Sequence, residues 1–376
     1  MASRLKNASD VLVIGAGVIG ASVAFRLAET GARVTVIERY RPGAGTTQTS
    51  FAWINAHNKR PRPYYELNAA GVAEHHALAR ELQGNWLHAT GCLQVAQGSA
   101  EVLRLRKIVG RLQEWGYEAT LIDGRRAHEL EPDLDLRSSA ESGYAFFPGE
   151  GWVEAPVLVH ALLHAAVTAG AGLVYPAEVT ALLAEGNRVR GAETAAETFG
   201  ADVVVDCTGR DMGALLTQFG LSIKRRISPG LLVTTQPVPT CLSRVVLTTD
   251  FNLRPDGVGR VLIQSEAIDA ALDPEVTTGP SRQTAAELVE KARGLLPALD
   301  QAEIDTVRLG WRSMPGDGLS AVGPLRGIEG YYAAFTHSGI TLGPLLGRRV
   351  AAEIYGAAPD PLLAGFRPDR LVQADG

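Results

Sequence analysis

Cysteine, net charge and long apolar runs are all scarce in this chain of 376 residues. The three cysteines, Cys92, Cys207 and Cys241, form no C-x-x-C pair, so neither a disulfide framework nor a zinc site is expected, and a reducing, cytoplasmic setting fits. The 36 basic and 41 acidic side chains leave a net charge of −5, which argues against nucleic acid as the main partner. No apolar run reaches the roughly 18 residues that a membrane span requires.

Glycine, by contrast, is abundant, with 41 residues where the usual share is about 7%. This excess indicates tight turns and places where the backbone approaches a ligand closely. At roughly 150 residues per domain, the length predicts two domains or one large domain with an excursion.

The opening residues contain a strand, a turn, a helix and a second strand in close succession. Residues 10–14 have a buried-strand pattern, and residues 15–20 read Gly-Ala-Gly-Val-Ile-Gly. A helix is predicted over 21–30 and a strand over 33–37, which Glu38 ends. A G-x-G-x-x-G motif is a strong signal for a Rossmann-type dinucleotide site when it occurs in this context.

The residue types in this turn suit a dinucleotide. Glycine permits the tight turn, lets the backbone approach a pyrophosphate and allows the helix to pack closely on the strand. The free N–H groups at the helix start stabilise the phosphate charge. Glu38 would accept hydrogen bonds from ribose hydroxyls and disfavour a 2′-phosphate, so NADP is not expected. The predicted contacts in the turn are Gly15, Gly17, Val18, Ile19 and Gly20.

The segment after Glu38 favours FAD over NAD, because its glycine, threonine and serine residues offer donors for the pyrophosphate and ribityl chain of a flavin. On this basis the chain resembles the D-amino-acid oxidase superfamily of FAD enzymes, in particular its glycine oxidase and sarcosine oxidase branch. The features that carry the resemblance are the turn 15–20, Glu38-Arg39, Thr49-Ser50 and two later segments, 310–323 and 331–354.

The resemblance and the strand pattern together predict the fold class. Residues 225–310 contain strand-like segments separated by Pro/Gly turns, which is typical of an antiparallel sheet. The resemblance implies an α/β protein with a Rossmann-type, glutathione-reductase-like FAD-binding domain and a second α+β substrate domain built on that sheet. The predicted FAD-binding domain comprises 1–85, 150–224 and 316–376, and the substrate domain comprises 86–149 and 225–315.

Two further cofactor contacts are implied by the resemblance. Residues 201–209 predict a buried strand that ends in the turn Thr208-Gly209, and the family places this strand end against the FAD pyrophosphate and ribose. The family also places the backbone of a strand near Val179 against the adenine. A plain strand-end turn is the alternative at Thr208-Gly209.

Arg312 is the main candidate for substrate binding and catalysis. It falls on an arginine that, in the resembling family, holds the substrate carboxylate over the flavin. A guanidinium offers a planar pair of donors that matches two carboxylate oxygens and stays charged. A surface or ion-paired arginine is the alternative.

The segment 331–354 predicts a strand, a turn and a helix. The family places this turn beside the isoalloxazine ring, with the helix N-terminus aimed at the pyrimidine edge, where its dipole would stabilise negative charge. Gly339 and Ile340 would contribute backbone donors. His337, the second catalytic candidate, hydrogen-bonds the flavin or the substrate in one alternative and only supports the turn in the other.

The loop 51–59 lies where the family's chain passes the flavin, so Asn55, His57 and Lys59 are candidates for facing the substrate. Arg254, between a strand and a turn, is a further possible substrate contact. No metal site is predicted: His160 and His164 are four positions apart, as in a metal-binding pair, but the sequence offers no nearby acidic third ligand.

Two departures from the family bear on the cofactor chemistry. The covalent-flavin members use a cysteine just before the Arg312 region, but this chain has none after Cys241, so we predict non-covalent FAD. The sarcosine branch uses a lysine for the reaction with oxygen, and the matching residues 259–264 contain none. The electron acceptor, oxygen or a quinone or another carrier, therefore stays open.

The resulting hypothesis is FAD-dependent oxidation of a small amino acid or N-alkyl amino acid, of the glycine, sarcosine or D-amino acid type, to an imine that hydrolyses. One alternative is an FAD-dependent 2-hydroxy acid dehydrogenase, and another is a flavoprotein subunit of a larger amine dehydrogenase complex. A nicotinamide dehydrogenase is the rival without a flavin. A homo-oligomer is possible.

Overall fold

The structure is a computed structural model that describes residues 9–136, 141–273 and 282–374. Within these residues, two sheets of eight strands each form the framework, and a three-stranded and a two-stranded sheet complete it. The parts of the predicted FAD-binding ranges at 1–8 and 375–376 lie outside the described residues.

The helices and strands have the following bounds. The helices are α1 (Val18–Glu29), α2 (Arg62–Glu81), α3 (Ser99–Glu114), α4 (Gly124–Leu130), α5 (Ala155–Thr168), α6 (Glu266–Ala271), α7 (Arg282–Arg293) and α8 (Gly339–Ile354). Short 3₁₀ helices span Gly209–Asp211, Ala214–Phe219, Pro297–Gln301, Pro361–Phe366 and Pro368–Leu371. The first strands are β1 (Ser9–Ile14), β2 (Val34–Ile37), β3 (Trp53–Ile54), β4 (Leu87–His88), β5 (Cys92–Gln97), β6 (Thr120–Ile122), β7 (Ser142–Phe147), β8 (Gly151–Val153), β9 (Gly172–Val174), β10 (Val179–Glu185) and β11 (Arg188–Thr194). The others are β12 (Thr198–Asp206), β13 (Leu221–Ile223), β14 (Arg225–Thr235), β15 (Val245–Leu247), β16 (Asn252–Pro255), β17 (Val261–Gln264), β18 (Ile304–Pro315), β19 (Ala321–Leu325), β20 (Ile328–Phe335) and β21 (Val372–Ala374).

The first large sheet has the parallel centre expected of a Rossmann-type domain. Its order is β10-β11-β20-β12-β1-β2-β9, with β19 added antiparallel to β20. β1 pairs in parallel with both β12 and β2, and β12 pairs in parallel with β20. The strands β1 and β2 are buried and apolar because helices cover the sheet. The predicted α/β, Rossmann-type fold is confirmed.

α1 begins at Val18, three residues before the helix predicted from the sequence. Gly17 forms its N-cap in an extended conformation, so the last glycine of the motif lies inside the first turn. The helix packs between α5 and α8, and its buried side chains join the core of the first sheet. The glycine motif therefore forms both the turn and the start of a tightly packed helix.

The second large sheet is antiparallel except at one pair. Its order is β18-β14-β17-β16-β15-β5-β7-β6, and only β15 and β5 pair in parallel among these described strands. β14 and β18 form a long ladder that runs from Arg225 opposite Pro315 to Thr235 opposite Ile304. α7 covers this sheet through buried side chains that include Leu288 and Val289. The antiparallel sheet of the prediction is therefore present.

The strands of the first large sheet lie in the predicted FAD-binding ranges, and those of the second lie in the predicted substrate-domain ranges. We therefore keep these ranges as the proposed domain division. The first set needs a small extension at its boundary after residue 85. Trp86 belongs to the core of the first sheet, and β4 pairs with β8 in the small sheet β3-β8-β4.

Pro344 lies inside α8, where it cannot donate to the carbonyl of Ile340. His75 on α2 replaces that donor, since its Nε2 lies 2.7 Å from the Ile340 oxygen. A carbonyl oxygen only accepts, so Nε2 carries the proton. Burial lowers the pKa of His75 to about 4, which keeps the ring neutral in this role. The contact fixes α2 against the first turn of α8.

Among the helices of the described residues, none combines the length and the apolar character that crossing a bilayer requires.

The contact of α8 with α1 at Gly347 gives a test of this packing. A Cβ at Gly347 would lie 2.5 Å from the backbone oxygen of Ser22, so Gly347→Ala must separate α8 from α1. We expect it to lower the free energy of unfolding by about 1–3 kcal/mol, measured by urea titration followed by circular dichroism. Gly110→Ala in α3 is the matched control, because no atom lies within 4 Å of its Cβ position, and it should stabilise by about 0.5–1 kcal/mol. Equal unfolding midpoints for the two variants would contradict this packing.

Candidate active site

A cleft of about 710 Å³ runs along the carboxyl ends of the parallel strands and is closed by the face of the second sheet. Ligands of open α/β sheets bind at this edge. The turns after β1, β2, β12 and β20 form one wall, and residues of β14, β17 and β18 form the other.

Most of the residues predicted from the sequence line this cleft. They are Gly15, Gly17, Val18, Ile19, Glu38, Arg39, Thr49, Ser50, Asn55, Lys59, Val179, Thr208, Gly209, Arg312, His337, Gly339 and Ile340. Three predicted residues, Gly20, His57 and Arg254, are not on its wall.

The glycine turn permits contacts that no other residue allows. Gly15 has a φ of +98°, and a Cβ there would lie 2.7 Å from the backbone oxygen of Cys207. A Cβ at Gly20 would lie 1.9 Å from the backbone oxygen of Gly15. Gly20 therefore acts from behind the wall, by letting α1 approach β1, and contacts of a ligand fall to the other turn residues.

Glu38 closes the turn from the end of β2. One carboxylate oxygen accepts from the backbone N–H of Ala16 at 2.9 Å, and the other accepts from that of Tyr40 at 2.9 Å. Each oxygen has a second lone pair, so the carboxylate keeps capacity for two hydroxyl donors. Arg39 pairs with Asp211 at 2.6 Å across the cleft, a partner that the sequence did not indicate.

A buried carboxyl group forms the turn after β12. Asp206 accepts from the backbone N–H of Thr208 at 2.9 Å and from its hydroxyl at 2.6 Å. The hydroxyl of Tyr331 donates to the other oxygen of Asp206 at 2.6 Å. Burial raises the pKa of Asp206. The Thr208 hydroxyl is engaged in this turn, so Thr208 and Gly209 present mainly backbone to the cleft.

His57, predicted to face the substrate, instead supports the loop from behind. Its ring stacks on Phe147 with centroids 4.0 Å apart, and its Nδ1 lies 2.9 Å from a carboxylate oxygen of Glu150. Glu150 is fully buried and also accepts from Trp53, from Tyr117 and from two backbone N–H groups of the loop. Burial opposes ionisation, but the interaction with His57 and these hydrogen bonds lower the pKa of Glu150. A buried carboxylate needs several donors, and His57 is one of them.

Arg254, the other predicted substrate contact, is also a structural residue. Its side chain is only 5% exposed and lies over the rings of Phe51 and Trp152. Its Nε donates to the backbone oxygen of Phe51 at 2.6 Å, and its Nη1 interacts with Asp256 at 3.3 Å. Burial lowers the pKa of Arg254 to about 10, so it stays charged at neutral pH. The arginine joins the second sheet to the loop that lines the cleft.

Arg312 lies on the cleft wall, in β18 opposite Ser228 of β14. Its guanidinium lies against the backbone at Gly230, where a Cβ would be 2.9 Å from the Arg312 Nε. Its Nη2 forms a short ion pair with Asp269 of α6, which is 4% exposed. Asp269 also accepts from the backbone N–H of Leu231 and from Gln264 Nε2, both at 2.7 Å. No local sequence pattern links Asp269 to Arg312, so sequence reasoning missed this partner.

The N-terminus of α8 faces the same part of the cleft. Its cap residue, Ser338, makes no side-chain hydrogen bond to the helix, and Gly339 and Ile340 line the cleft. The first N–H groups of a helix have no partner within it, so they point positive charge at the cleft.

His337 is neutral in this environment. Partial removal from water inside the cleft, and then the positive charges of Lys59, Arg312 and Arg226, lower its pKa to about 3. Lys59 and Arg312 therefore lie close enough to His337 for both charges to act on its ring.

Asn55 offers an acceptor with no partner. Its side chain is 5% exposed, its Oδ1 forms no hydrogen bond with the described residues, and it lines the cleft. Its backbone N–H donates to the Thr341 hydroxyl at 3.3 Å, which places it next to the start of α8. A buried acceptor of this kind requires a donor from a ligand.

The family model described as FAD dependent oxidoreductase, DAO, matches residues 10–353. The chain belongs to this family of FAD-dependent oxidoreductases. It is similar to the glycine oxidase of Geobacillus kaustophilus (strain HTA426), with 29% identity over 352 residues that cover 91% of this chain and 92% of the relative. The crystal structure of glycine oxidase from Geobacillus kaustophilus matches with a TM-score of 0.87 and 28% identity, covering 97% of this chain and 99% of that one.

A second kind of relative is named as part of an assembly. Hydrogen cyanide synthase subunit HcnC of Pseudomonas aeruginosa is 26% identical over 417 residues, which cover 96% of this chain and 97% of the relative. The family confirms FAD in preference to a nicotinamide cofactor.

The residues of the cleft fit FAD. Gly15 and Gly17 line the cleft without a side chain, so a pyrophosphate can approach the backbone of this turn closely. Glu38 keeps acceptor capacity for ribose hydroxyls, and the unpaired oxygen of Asn55 can accept from an N–H group of a bound ligand.

The low pKa of His337 has a direct test. In the FAD-loaded protein, the carbon-bound ring protons of His337 should not titrate between pH 8 and pH 5, since its pKa of about 3 lies below this range. The measurement is a histidine NMR titration, with His337→Gln to assign the signal. A midpoint near the ordinary value of about 6.5 would show that partial removal from water and the neighbouring cations do not keep this ring neutral.

Proposed function

We propose that the protein oxidises a small amino acid or N-alkyl amino acid whose carboxylate is bound by Arg312. The observation that supports this proposal is the placement of an anchored guanidinium on the cleft wall. The chemistry that FAD would supply when bound is acceptance of a hydride from the substrate Cα, which would leave an imino acid that water hydrolyses.

The chain's own residues would hold the cofactor along the whole cleft. Gly15, Gly17, Val18 and Ile19 would contact the pyrophosphate, and Glu38 the ribose. The backbone of Val179 would lie against the adenine. The remaining contacts come from Arg39, Thr49, Ser50, Thr208, Gly209, Gly339 and Ile340.

Arg312 would bind and orient the substrate. Asp269 takes one donor at Nη2, so the other guanidinium donors are left for a carboxylate. Fixing the substrate in one orientation supplies much of the rate gain in such a reaction. The helix start at Gly339 would stabilise negative charge on the adjacent ring edge.

His337 would act as a neutral hydrogen-bonding partner of the substrate amine. Its low pKa means that it adds no positive charge beside the amine at neutral pH. No strong protein base is required, because a substrate amine can enter in its neutral form. Asn55 is the remaining proposed substrate contact. His57 and Arg254 are not proposed as substrate contacts, because both are buried behind the cleft wall.

A flavoprotein subunit of a larger amine dehydrogenase is the second candidate function. The relative named as a hydrogen cyanide synthase subunit, which matches over nearly its whole length, favours it. Activity of the purified single chain towards an amine would decide against an obligatory complex. The 2-hydroxy acid alternative predicts bleaching of the flavin by hydroxy acids and not by amines. Non-covalent FAD, the electron acceptor, a homo-oligomer and a cytoplasmic location stay predictions.

Replacing the arginine tests the proposed carboxylate site. Arg312→Leu should raise KM for an amino acid substrate by about 100-fold or more, because two charge-assisted hydrogen bonds are lost. Flavin content should stay that of the parent protein. The measurement is anaerobic flavin reduction by glycine, sarcosine and both enantiomers of common amino acids. Arg188→Leu, a 51%-exposed arginine on β11 outside the cleft, is the control. Unchanged kinetics in Arg312→Leu would remove the assignment.

A second variant moves the arginine without removing its charge. The Cβ of Gly230→Ala would lie 2.9 Å from Arg312 Nε, so the guanidinium must shift away from its present position. We expect KM to rise by about tenfold with a smaller change in kcat, because one hydrogen bond to a charged group would be lost. Gly149→Ala, with no atom within 4 Å of the new Cβ, serves as the control. Identical steady-state constants for the two variants would argue against contact of Arg312 with the substrate.

A further inference from the structure

Lys59 is a second cation of the candidate active site. It lies in the loop between β3 and α2, which also carries Asn55, and it is half-buried on the lining of the cleft that also includes Arg312 and His337. The loop is held in place at this point, because the backbone N–H of Lys59 donates to the Ala56 oxygen at 3.1 Å. The backbone that carries the Lys59 side chain is therefore fixed at the cleft wall.

The side chain of Lys59 differs from the other cations of the cleft in having no counter-ion. Arg39 pairs with Asp211, and Arg312 pairs with Asp269. For the Lys59 ammonium, no hydrogen bond or ion pair with a residue of the described ranges is present. Its charge is thus available to a ligand.

The nearest acids do not neutralise Lys59. Glu150 and Glu266 act on its charge only from a distance. Glu150 is fully buried, and its two oxygens are already taken by the loop and by Tyr117. Burial consequently lowers the pKa of Lys59 to about 8. An ammonium in this situation is stabilised by any anion that enters the cleft.

Arg312 and Lys59 differ in whether a carboxylate neutralises their charge. Asp269 offsets the charge of Arg312, whereas the charge of Lys59 is not offset by a contact. The positive charges of both lower the pKa of His337, so Lys59 and Arg312 both lie within electrostatic reach of its ring. A ligand lying beside His337 would therefore meet two separate groups that bind anions.

We propose that Lys59 binds a second acidic group of the substrate, so that the preferred substrates are amino acids with two carboxylates, either acidic amino acids or N-carboxyalkyl amino acids. This proposal rests on the proposed function, in which Arg312 holds the carboxylate next to the oxidised carbon. Lys59 would select among substrates, and it would do so through a charge-assisted hydrogen bond.

The test compares two substrates that differ by one carboxylate. N-(carboxymethyl)glycine and N-ethylglycine present the same glycine unit, and neither has a stereocentre at the reacting carbon. The rate of anaerobic flavin reduction in the FAD-loaded protein gives kcat/KM for each. We expect a preference for the dicarboxylate of about tenfold or more, which Lys59→Gln abolishes, as loss of one hydrogen bond to a charged group predicts.

Two variants control for structural effects. Lys59→Arg keeps the charge and should keep most of the preference, and Lys107→Gln removes an exposed lysine of α3 away from the cleft. An unchanged ratio in Lys59→Gln, or equal losses for both substrates, would overturn the proposal. The second result would mean that Lys59 acts on the fold, on the cofactor or on the shared carboxylate.

A binding measurement separates this proposal from the proposed function. Calorimetry with succinate and with butyrate, on the FAD-loaded parent and on Lys59→Gln, needs no turnover. Stronger binding of succinate that disappears in Lys59→Gln supports the second anion site even if neither amine reduces the flavin. If an amine reduces the flavin but succinate gains nothing over butyrate, the proposed function stands and the role of Lys59 is wrong.

Discussion

The close approach of β18 to the loop before β3 is the constraint on which the candidate site depends. A Cβ at Gly310 would lie 2.2 Å from the Thr49 hydroxyl, so this strand can reach the loop only where it has no side chain. Successive side chains of a strand alternate, so residue 312 faces the same side as residue 310. The contact that joins the two sheets thereby directs Arg312 into the cleft, and Gly230 on the neighbouring strand leaves the space that its guanidinium occupies.

Most positive side chains of the cleft are paired with a carboxylate, so positive charge does not build up there. Arg39 and Arg312 each have a carboxylate partner, and the start of α8 adds the partial positive charge of its free N–H groups. His337 stays neutral among these groups. This arrangement suits the anionic cofactor and the anionic substrate that we propose. Among the described cations of the cleft wall, only Lys59 lacks a close counter-charge.

Local chemistry explains what the sequence predicted well. The glycine turn, Glu38 and the start of α8 follow from residues that are neighbours along the chain, and the structure brings them together on one wall. The contacts that sequence reasoning missed join distant residues: Arg312 and Asp269 are 43 positions apart, and His57 and Glu150 are 93 apart. No spacing rule connects such pairs, so the burial of His57 and Arg254 and the anchoring role of Asp269 became visible only in three dimensions.

The central claim is that Arg312 receives the carboxylate of a ligand lying beside bound FAD. A crystal structure of the FAD complex with a carboxylate ligand that cannot be oxidised tests it most directly. We expect carboxylate oxygens within about 3 Å of the guanidinium nitrogens that face the cleft, with the contact between Arg312 and Asp269 preserved. A carboxylate bound elsewhere while Arg312 remains engaged only with Asp269 would contradict the claim.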